Sequence, residues 1–153
     1  MSQTGKSGPV RHEVEIEVRY AETDQMGVVH HANYLVWLEL ARTGLCALSG
    51  YHYSEIEKLG YFLMVTGVSI EYRQGVRYGD KVKVTAWIER LSSRGLRFAY
   101  QILLGDQRAA MATTDHLWIE SSSNRPRRTP AELRQAFERL ADGSPESTHQ
   151  PND

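Results

Sequence analysis

The sequence has a single cysteine, Cys46, in 153 residues. One thiol excludes an intrachain disulfide framework and any cysteine-rich zinc site, and it fits a reducing compartment. Neither sign of charge is in excess. Eighteen Lys and Arg stand against 19 Asp and Glu, for a formal net charge of −1, which argues against non-specific nucleic-acid binding as the main role. No uninterrupted apolar run is long enough to span a membrane. The stretch from Met1 to Pro9 is polar, with Gly and Ser, and carries no apolar signal segment. A G-x-S-x-G elbow is missing, which largely dismisses serine-hydrolase chemistry, and so are the Walker A and G-x-G-x-x-G phosphate loops. The expectation from these absences is a cytoplasmic protein with no nucleic-acid partner and no membrane span. Hydrophobic residues make up 41% of the chain and charged residues 24%, which suits one ordinary domain with a real core.

The patterning supports that single domain. From Glu13 to Tyr20 the alternation is strict, with Val14, Ile16, Val18 and Tyr20 on one face and Glu13, Glu15, Glu17 and Arg19 on the other, which predicts a half-buried strand. Ala32 to Leu48 reads as a buried helix, because Leu35, Leu38, Ala41, Leu45 and Leu48 recur at helical spacing and Gly50 follows as a stop. A short helical turn is expected over residues 53–59. Four strand-like stretches follow, at residues 62–72, 81–91, 96–104 and 108–120. Gly79-Asp80, Ser92-Ser93-Arg94-Gly95 and Gly105-Asp106 mark the turns between them. Thr129 to Leu140 predicts a closing helix with Thr129 as its cap and Pro130 in its first position. The predicted organisation is a loose N-terminal tail over residues 1–11, one α+β domain over 12–141 and a flexible C-terminal tail over 142–153. Its long antiparallel β-sheet wraps around one central α-helix. Trp87, Trp118, Leu103 and Val65 are expected on the second sheet face, which pairing of two copies would cover.

One segment carries the chemistry. Tyr20-Ala21-Glu22-Thr23-Asp24-Gln25-Met26-Gly27-Val28-Val29-His30-His31-Ala32-Asn33-Tyr34 sets a carboxylate, a glycine turn and two histidines between a strand and an apolar helix. Helix N-termini present unpaired N–H groups and a positive dipole end to negative charge. A thioester or ester hydrolase needs that partnership, a carboxylate to attack or to activate water and N–H groups to hold an oxyanion. Taken alone, Asp24 reads as a turn or capping residue. The adjacent histidines diverge and have no H-x-x-x-H partner, so a metal site is not expected. Cys46, inside the apolar helix, reads as a small core residue, and His116, in mid-strand, as a packed one. Glu39 and Arg42, three apart on the helix, are placed to pair with each other.

The segment from Tyr20 to Arg42, with Gly27-Val28-Val29, His31-Ala32-Asn33-Tyr34 and Glu39-Leu40-Ala41-Arg42, resembles the hotdog-fold acyl-CoA thioesterases. Specifically it is similar to the 4-hydroxybenzoyl-CoA thioesterase type and the related Tol-Pal-associated short-chain acyl-CoA thioesterases. Tyr72 to Asp80, with Arg77 and Gly79-Asp80, adds a second match. The resemblance spans residues 13–140 in element order. It implies a hotdog fold and a homodimer or homotetramer that hydrolyses an acyl- or aroyl-CoA to the acid and CoA without a cofactor. It implies Asp24 as catalytic nucleophile or general base, with His31 at the oxyanion-binding helix start and Gly27, Val28 and His30 shaping the loop. Substrate contacts are expected from Tyr34, within a pocket that also draws on Trp37, Tyr61 and Met64. Arg94, Arg125, Arg127 and Arg128 match places where relatives hold CoA phosphates. Glu22 stands where many relatives have Asp, and Gly75 where many have Pro. The rival readings are a dehydratase or hydratase on the same fold, whose proline-rich histidine motif is not visible, a non-catalytic acyl-CoA binding or regulatory module, and an acyl-carrier-protein thioesterase.

Overall fold

Strict alternation of valine and isoleucine with glutamate makes the first strand, β1, His12–Glu17. The computed structural model describes residues 8–144. Within them follow a 3-10 turn at Tyr20–Glu22, α1 (Asn33–Ala47), α2 (Tyr53–Lys58), β2 (Tyr61–Tyr72), β3 (Lys81–Leu91), β4 (Gly95–Leu104), β5 (Gln107–Glu120), the two-residue β6 (Arg125–Pro126) and α3 (Ala131–Asp142). The sheet is antiparallel in the order β1-β3-β4-β5-β2, with β6 beside β5. It curls round α1, as expected. The parts of the two predicted tails at residues 1–7 and 145–153 lie outside the described residues. Val10 donates its N–H to the Leu140 carbonyl at 2.8 Å, and the Arg11 guanidinium lies 4.0 Å over the Trp87 ring.

The concave face is set by register. Ala86, Tyr100, Ala112 and Ile70 stand opposite one another across β3, β4, β5 and β2, as do Ile88, Phe98, Thr114 and Val68. Directly opposed residues share a face, so these rows meet Trp37, Leu38, Ala41 and Leu45 of α1 in one core. β2 holds one extra residue, Thr66, between the pairs Val65–His116 and Gly67–Asp115. This bulge keeps Leu63 and Val65 before it, and Val68, Ile70 and Tyr72 after it, on the concave side.

Three expectations are corrected. β1 stops at Glu17, and Tyr20 is 77% exposed. Val18 leaves the sheet to bond Asp80, and the buried Glu22 carboxylate pulls the Arg19 N–H into a turn. Second, Trp118 and Val65 lie on the concave face, Trp118 edge-on to Phe137 of α3 at 5.4 Å. The convex face is more polar than expected, with the Arg97–Asp115 pair at 2.7 Å. The uncovered apolar surface is elsewhere, on the outward side of α1 (Leu35, Val36, Leu40) and along β2 (Met64, Val65, Val68, Tyr72). Third, α3 starts at Ala131 with Pro130 as the cap residue, so Thr129 and Pro130 both precede the helix.

His116 is 2% exposed, and its Nε2 meets Thr114 Oγ1 at 2.8 Å. Thr114 Oγ1 also bonds the Tyr100 hydroxyl at 2.6 Å. Burial and the nearby Arg42 charge push the imidazole down to about 4, against a weaker opposing pull from Asp115. The unfolded chain therefore takes up this proton first as pH falls. Stability should drop between about pH 6.5 and 4, by an amount on the order of 2–3 kcal/mol from this group. Urea denaturation at pH 7 and pH 4.5 checks this, and the loss attributable to His116 should be absent in His116→Gln.

Candidate active site

Residues 24–28 form a tight turn. Gly27 N–H donates to the Asp24 carbonyl at 3.1 Å, and Asp24 N–H donates to the Val28 carbonyl at 2.8 Å. Gly27 has φ +80°, a conformation that glycine takes without a Cβ penalty. The Asp24 side chain is held by one oxygen. Oδ1 accepts from Met26 N–H at 2.8 Å and Val28 N–H at 3.3 Å, while Oδ2 has no hydrogen-bond partner among the described residues. The carboxylate is exposed to solvent.

The turn is fastened to α1 by Glu22. This residue is 4% exposed. Its Oε1 accepts from Arg19 N–H at 2.8 Å and Arg19 Nε at 3.4 Å, and its Oε2 accepts from the Trp37 indole at 2.8 Å. Its carbonyl takes His30 N–H and Asn33 Nδ2, both at 2.8 Å. Burial opposes the charge, but the bonds from the Arg19 amide, the Trp37 indole and the Arg19 guanidinium outweigh it and hold the carboxyl below its ordinary range. Nothing in the spacing marks Glu22 as this anchor, because its partner Trp37 is fifteen residues away. In Glu22→Gln one amide N–H would face a donor. The expected loss is about 1.5–3 kcal/mol, read from urea unfolding, and turnover should fall with it because the Asp24 turn loosens.

At the helix start the two histidines stack, with ring centroids 4.3 Å apart, and they do different work. His30 Nδ1 accepts the Ala32 N–H at 3.2 Å, which uses one of the free donors of the helix end. The N–H groups of Asn33, Tyr34 and Leu35 go to carbonyls of the preceding turn. The His31 N–H has no acceptor among the described residues. The His31 carbonyl accepts from the Tyr72 hydroxyl at 3.2 Å, tying the end of β2 to the helix.

His31, Tyr34, Val28, Val29, Tyr72 and Gly75 line a cavity of about 340 Å³. Tyr34 is 3% exposed and lies edge-on to Tyr72, with centroids 5.0 Å apart. Asp24 sits on the adjoining turn, outside the lining. Tyr72, which the sequence marks only as part of a weak motif, proves to be a wall of this cavity. The other expected pocket residues are elsewhere. Trp37 is core, Met64 is on the convex side and Tyr61 is at the far end of β2. Among the described residues no three His, Cys, Asp or Glu side chains converge as metal ligands would. Burial pushes the Cys46 thiol up to about 12, which leaves it without nucleophilic character.

The arginines form a separate group. Trp118 N–H bonds the Arg94 carbonyl and Arg127 N–H bonds the Trp118 carbonyl, both at 2.9 Å, and Thr129 N–H bonds the Ser93 carbonyl at 2.9 Å. Arg94, Arg125, Arg127 and Arg128 are therefore gathered at the β3–β4 turn. Arg127 is partly neutralised by Glu120 at 3.3 Å, while Arg128 lines a cavity of about 270 Å³ with Ser92 and Ser93. This end of the sheet adjoins Tyr61, whereas His31 and the Asp24 turn adjoin Tyr72. A twelve-residue strand separates them, roughly 35 Å of chain at about 3.3 Å per residue.

A family profile described as the thioesterase-like superfamily matches residues 18–137. The sequence is 40% identical over 124 residues to a putative acyl-CoA thioesterase of Bacillus subtilis, covering 80% of this chain and 87% of that one. It is 30% identical over 135 residues to a chloroplastic acyl-acyl carrier protein thioesterase of Arabidopsis thaliana, covering 87% and 70%. Among solved structures, a DHNA-CoA thioesterase from Staphylococcus aureus superposes with a TM-score of 0.80 at 32% identity, covering 86% of this chain and 91% of that one.

Proposed function

Because the chain belongs to the thioesterase-like superfamily and has its hotdog fold, we propose that it is a thioester hydrolase that cleaves an acyl- or aroyl-CoA to the free acid and CoA. The observation that carries this reading is the Asp24 turn beside the start of α1. One carboxylate oxygen is anchored by two N–H groups, the other is unengaged, and the His31 N–H nearby lacks an acceptor. Asp24 attacks the carbonyl carbon or takes a proton from an attacking water. The negative charge that forms on the carbonyl oxygen is received by the His31 N–H at the positive end of the helix. The C–S bond then breaks, the thiolate leaves as CoA and is protonated, and one water is consumed.

The functional unit is a homo-oligomer. The uncovered apolar strip of α1 and the free edge of β2 call for a second copy. Antiparallel pairing of two β2 edges would lay the arginine end of one copy beside the Asp24 end of the other. That arrangement would let Arg94, Arg125, Arg127 and Arg128 reach the phosphates of a CoA whose thioester lies at Asp24 of the other copy. The lone, buried Cys46 suits a reducing cytoplasm.

A second reading, hydrolysis of acyl-carrier-protein thioesters, is supported by the similarity to the Arabidopsis relative. Thiol release from acyl-CoA, aroyl-CoA and acyl-carrier-protein esters tests all of these. Turnover of CoA esters supports the first reading, turnover of protein-bound esters alone moves the second to the front, and no turnover of any ester overturns both.

A further inference from the structure

Arg42 is a buried cation for which the proposed reaction has no use. It is 9% exposed. Its Nη1 reaches the Tyr100 hydroxyl at 3.4 Å, and its Nε has no hydrogen-bond partner among the described residues. The pairing expected with Glu39 does not form. Among the described residues no carboxylate lies within 4.0 Å of Arg42. Burial works against the guanidinium charge, but the phenol oxygens of Tyr100 and Tyr53 more than offset it, so the group stays charged. A buried charge left without an opposite one is costly.

Arg42 lines an opening of about 160 Å³ with Leu35, Leu38, Val65, Val68 and Thr114. The cavity beside His31 is a separate opening between the same two elements, lined by Tyr34 of α1 and Tyr72 of β2. Leu35, Leu38 and Arg42 follow one another along one face of α1, with His31 just before the helix start, and β2 runs beside that face with the Tyr72 hydroxyl on the His31 carbonyl and Val68 and Val65 beside Arg42. A seam joining the two openings along α1 and β2 would run from the proposed thioester position to the guanidinium. Asn33 to Arg42 spans about 14 Å of helix at 1.5 Å per residue, and a helical side chain leans back toward the N-terminus, which shortens the gap.

We infer that this seam holds the acyl group and that Arg42 receives a carboxylate at its far end, so that the preferred substrates are ω-carboxyacyl thioesters. The inference rests on the thioesterase reading. The walls of the seam, Leu35, Leu38, Val65 and Val68, suit methylene groups, and a terminal carboxylate supplies both the opposite charge and the acceptor that Nε lacks. A plain alkyl tail supplies neither. Glu39 is exposed at the mouth of the opening, where its charge repels a bound carboxylate, and removing that charge should strengthen the preference.

The test compares adipoyl-CoA with hexanoyl-CoA and suberoyl-CoA with octanoyl-CoA, first by thiol release. Wild-type kcat/KM should favour the ω-carboxy ester of one pair by roughly tenfold or more, as a charged hydrogen bond predicts. The preference should be lost in Arg42→Gln, kept in part in Arg42→Lys and raised in Glu39→Gln, whose exposed position leaves the fold intact even if Arg42→Gln does not fold. Equal or better turnover of the alkyl esters by wild type overturns the inference and leaves the thioesterase reading standing. So does an unchanged preference in Arg42→Gln accompanied by weakened self-association, which would assign the missing carboxylate to a second copy. If wild type turns over none of the four esters, calorimetric binding to the wild type and Arg42→Gln decides separately. Tighter ω-carboxy binding that depends on Arg42 then supports the carboxylate site, and its absence overturns it, while the aroyl-CoA and acyl-carrier-protein esters decide the hydrolase reading.

Discussion

Asp24→Asn should retain the fold and lower kcat for thioester hydrolysis by roughly 100- to 10,000-fold, the range for loss of a positioned acid–base group. The variant is chosen because of what it keeps. Asparagine offers an oxygen in the place of Oδ1, so the bonds from the Met26 and Val28 N–H groups survive, and with them the turn closed by Gly27. Only the charge and the basic lone pairs go. An unchanged melting temperature with collapsed turnover assigns Asp24 to the chemistry. Full activity in Asp24→Asn would reduce it to a turn residue, the role it has when read alone. Asp24→Ala removes both functions, and the difference between the two variants measures what the turn contributes.

Gly95→Ala is expected to be among the most damaging single-methyl changes in the chain, costing more than about 4 kcal/mol, the range reserved for named structural faults. Gly95 opens β4, directly opposite Leu117 of β5. A Cβ there would collide with the His116 carbonyl oxygen and lie 3.0 Å from its carbon and 3.2 Å from the Leu117 Cα. These are backbone atoms of the neighbouring strand, so no side chain can swing aside. Relief requires parting β4 from β5, next to Leu96 and Trp118 in the core and beside the turn that presents Arg94. Loss of soluble protein, or a guanidinium midpoint far below wild type, is the expected readout. A midpoint within experimental error of wild type would show that the strands can separate at that corner without cost.

The local layout was readable from residues because short-range rules determine it. The expected bounds match β3 to the residue and β2, β4 and β5 to within one, because alternation in β3 and β4 and the turn signals at Gly79-Asp80, Ser92–Gly95 and Gly105-Asp106 mark them, and the Ser92–Gly95 turn closes with bonds between its own two ends. The proposed site is local at Asp24, Gly27, His31 and Tyr34, which sit within eleven residues of chain, so their proximity was legible. What escaped was long-range. Tyr20 keeps the strand pattern, yet contacts of Glu22 with Trp37 turn the chain before it. Val65 and Trp118 were assigned to the wrong face because facing depends on pairing, which a single chain of letters does not state. Glu39 and Arg42 have pairing distance on a helix, but the fold draws Arg42 inward and leaves Glu39 outside. The arginines share a charge sign and a neighbourhood, and only the sheet order shows them a full strand length from Asp24.

The extra residue at Thr66 gives β2 a reading frame. Counting by twos from Leu63 without it would turn Ser69 and Glu71 toward the helix and Tyr72 away, which would free the His31 carbonyl and open the seam to water. A length change of one residue anywhere between Thr66 and Tyr72 is thus a frameshift in space, inverting every side chain beyond it, whereas a change of two leaves the sense of the strand intact. The position of the cavity beside His31 is in this way encoded by parity, and a segment whose individual residues tolerate exchange can still be intolerant of any odd change in its length.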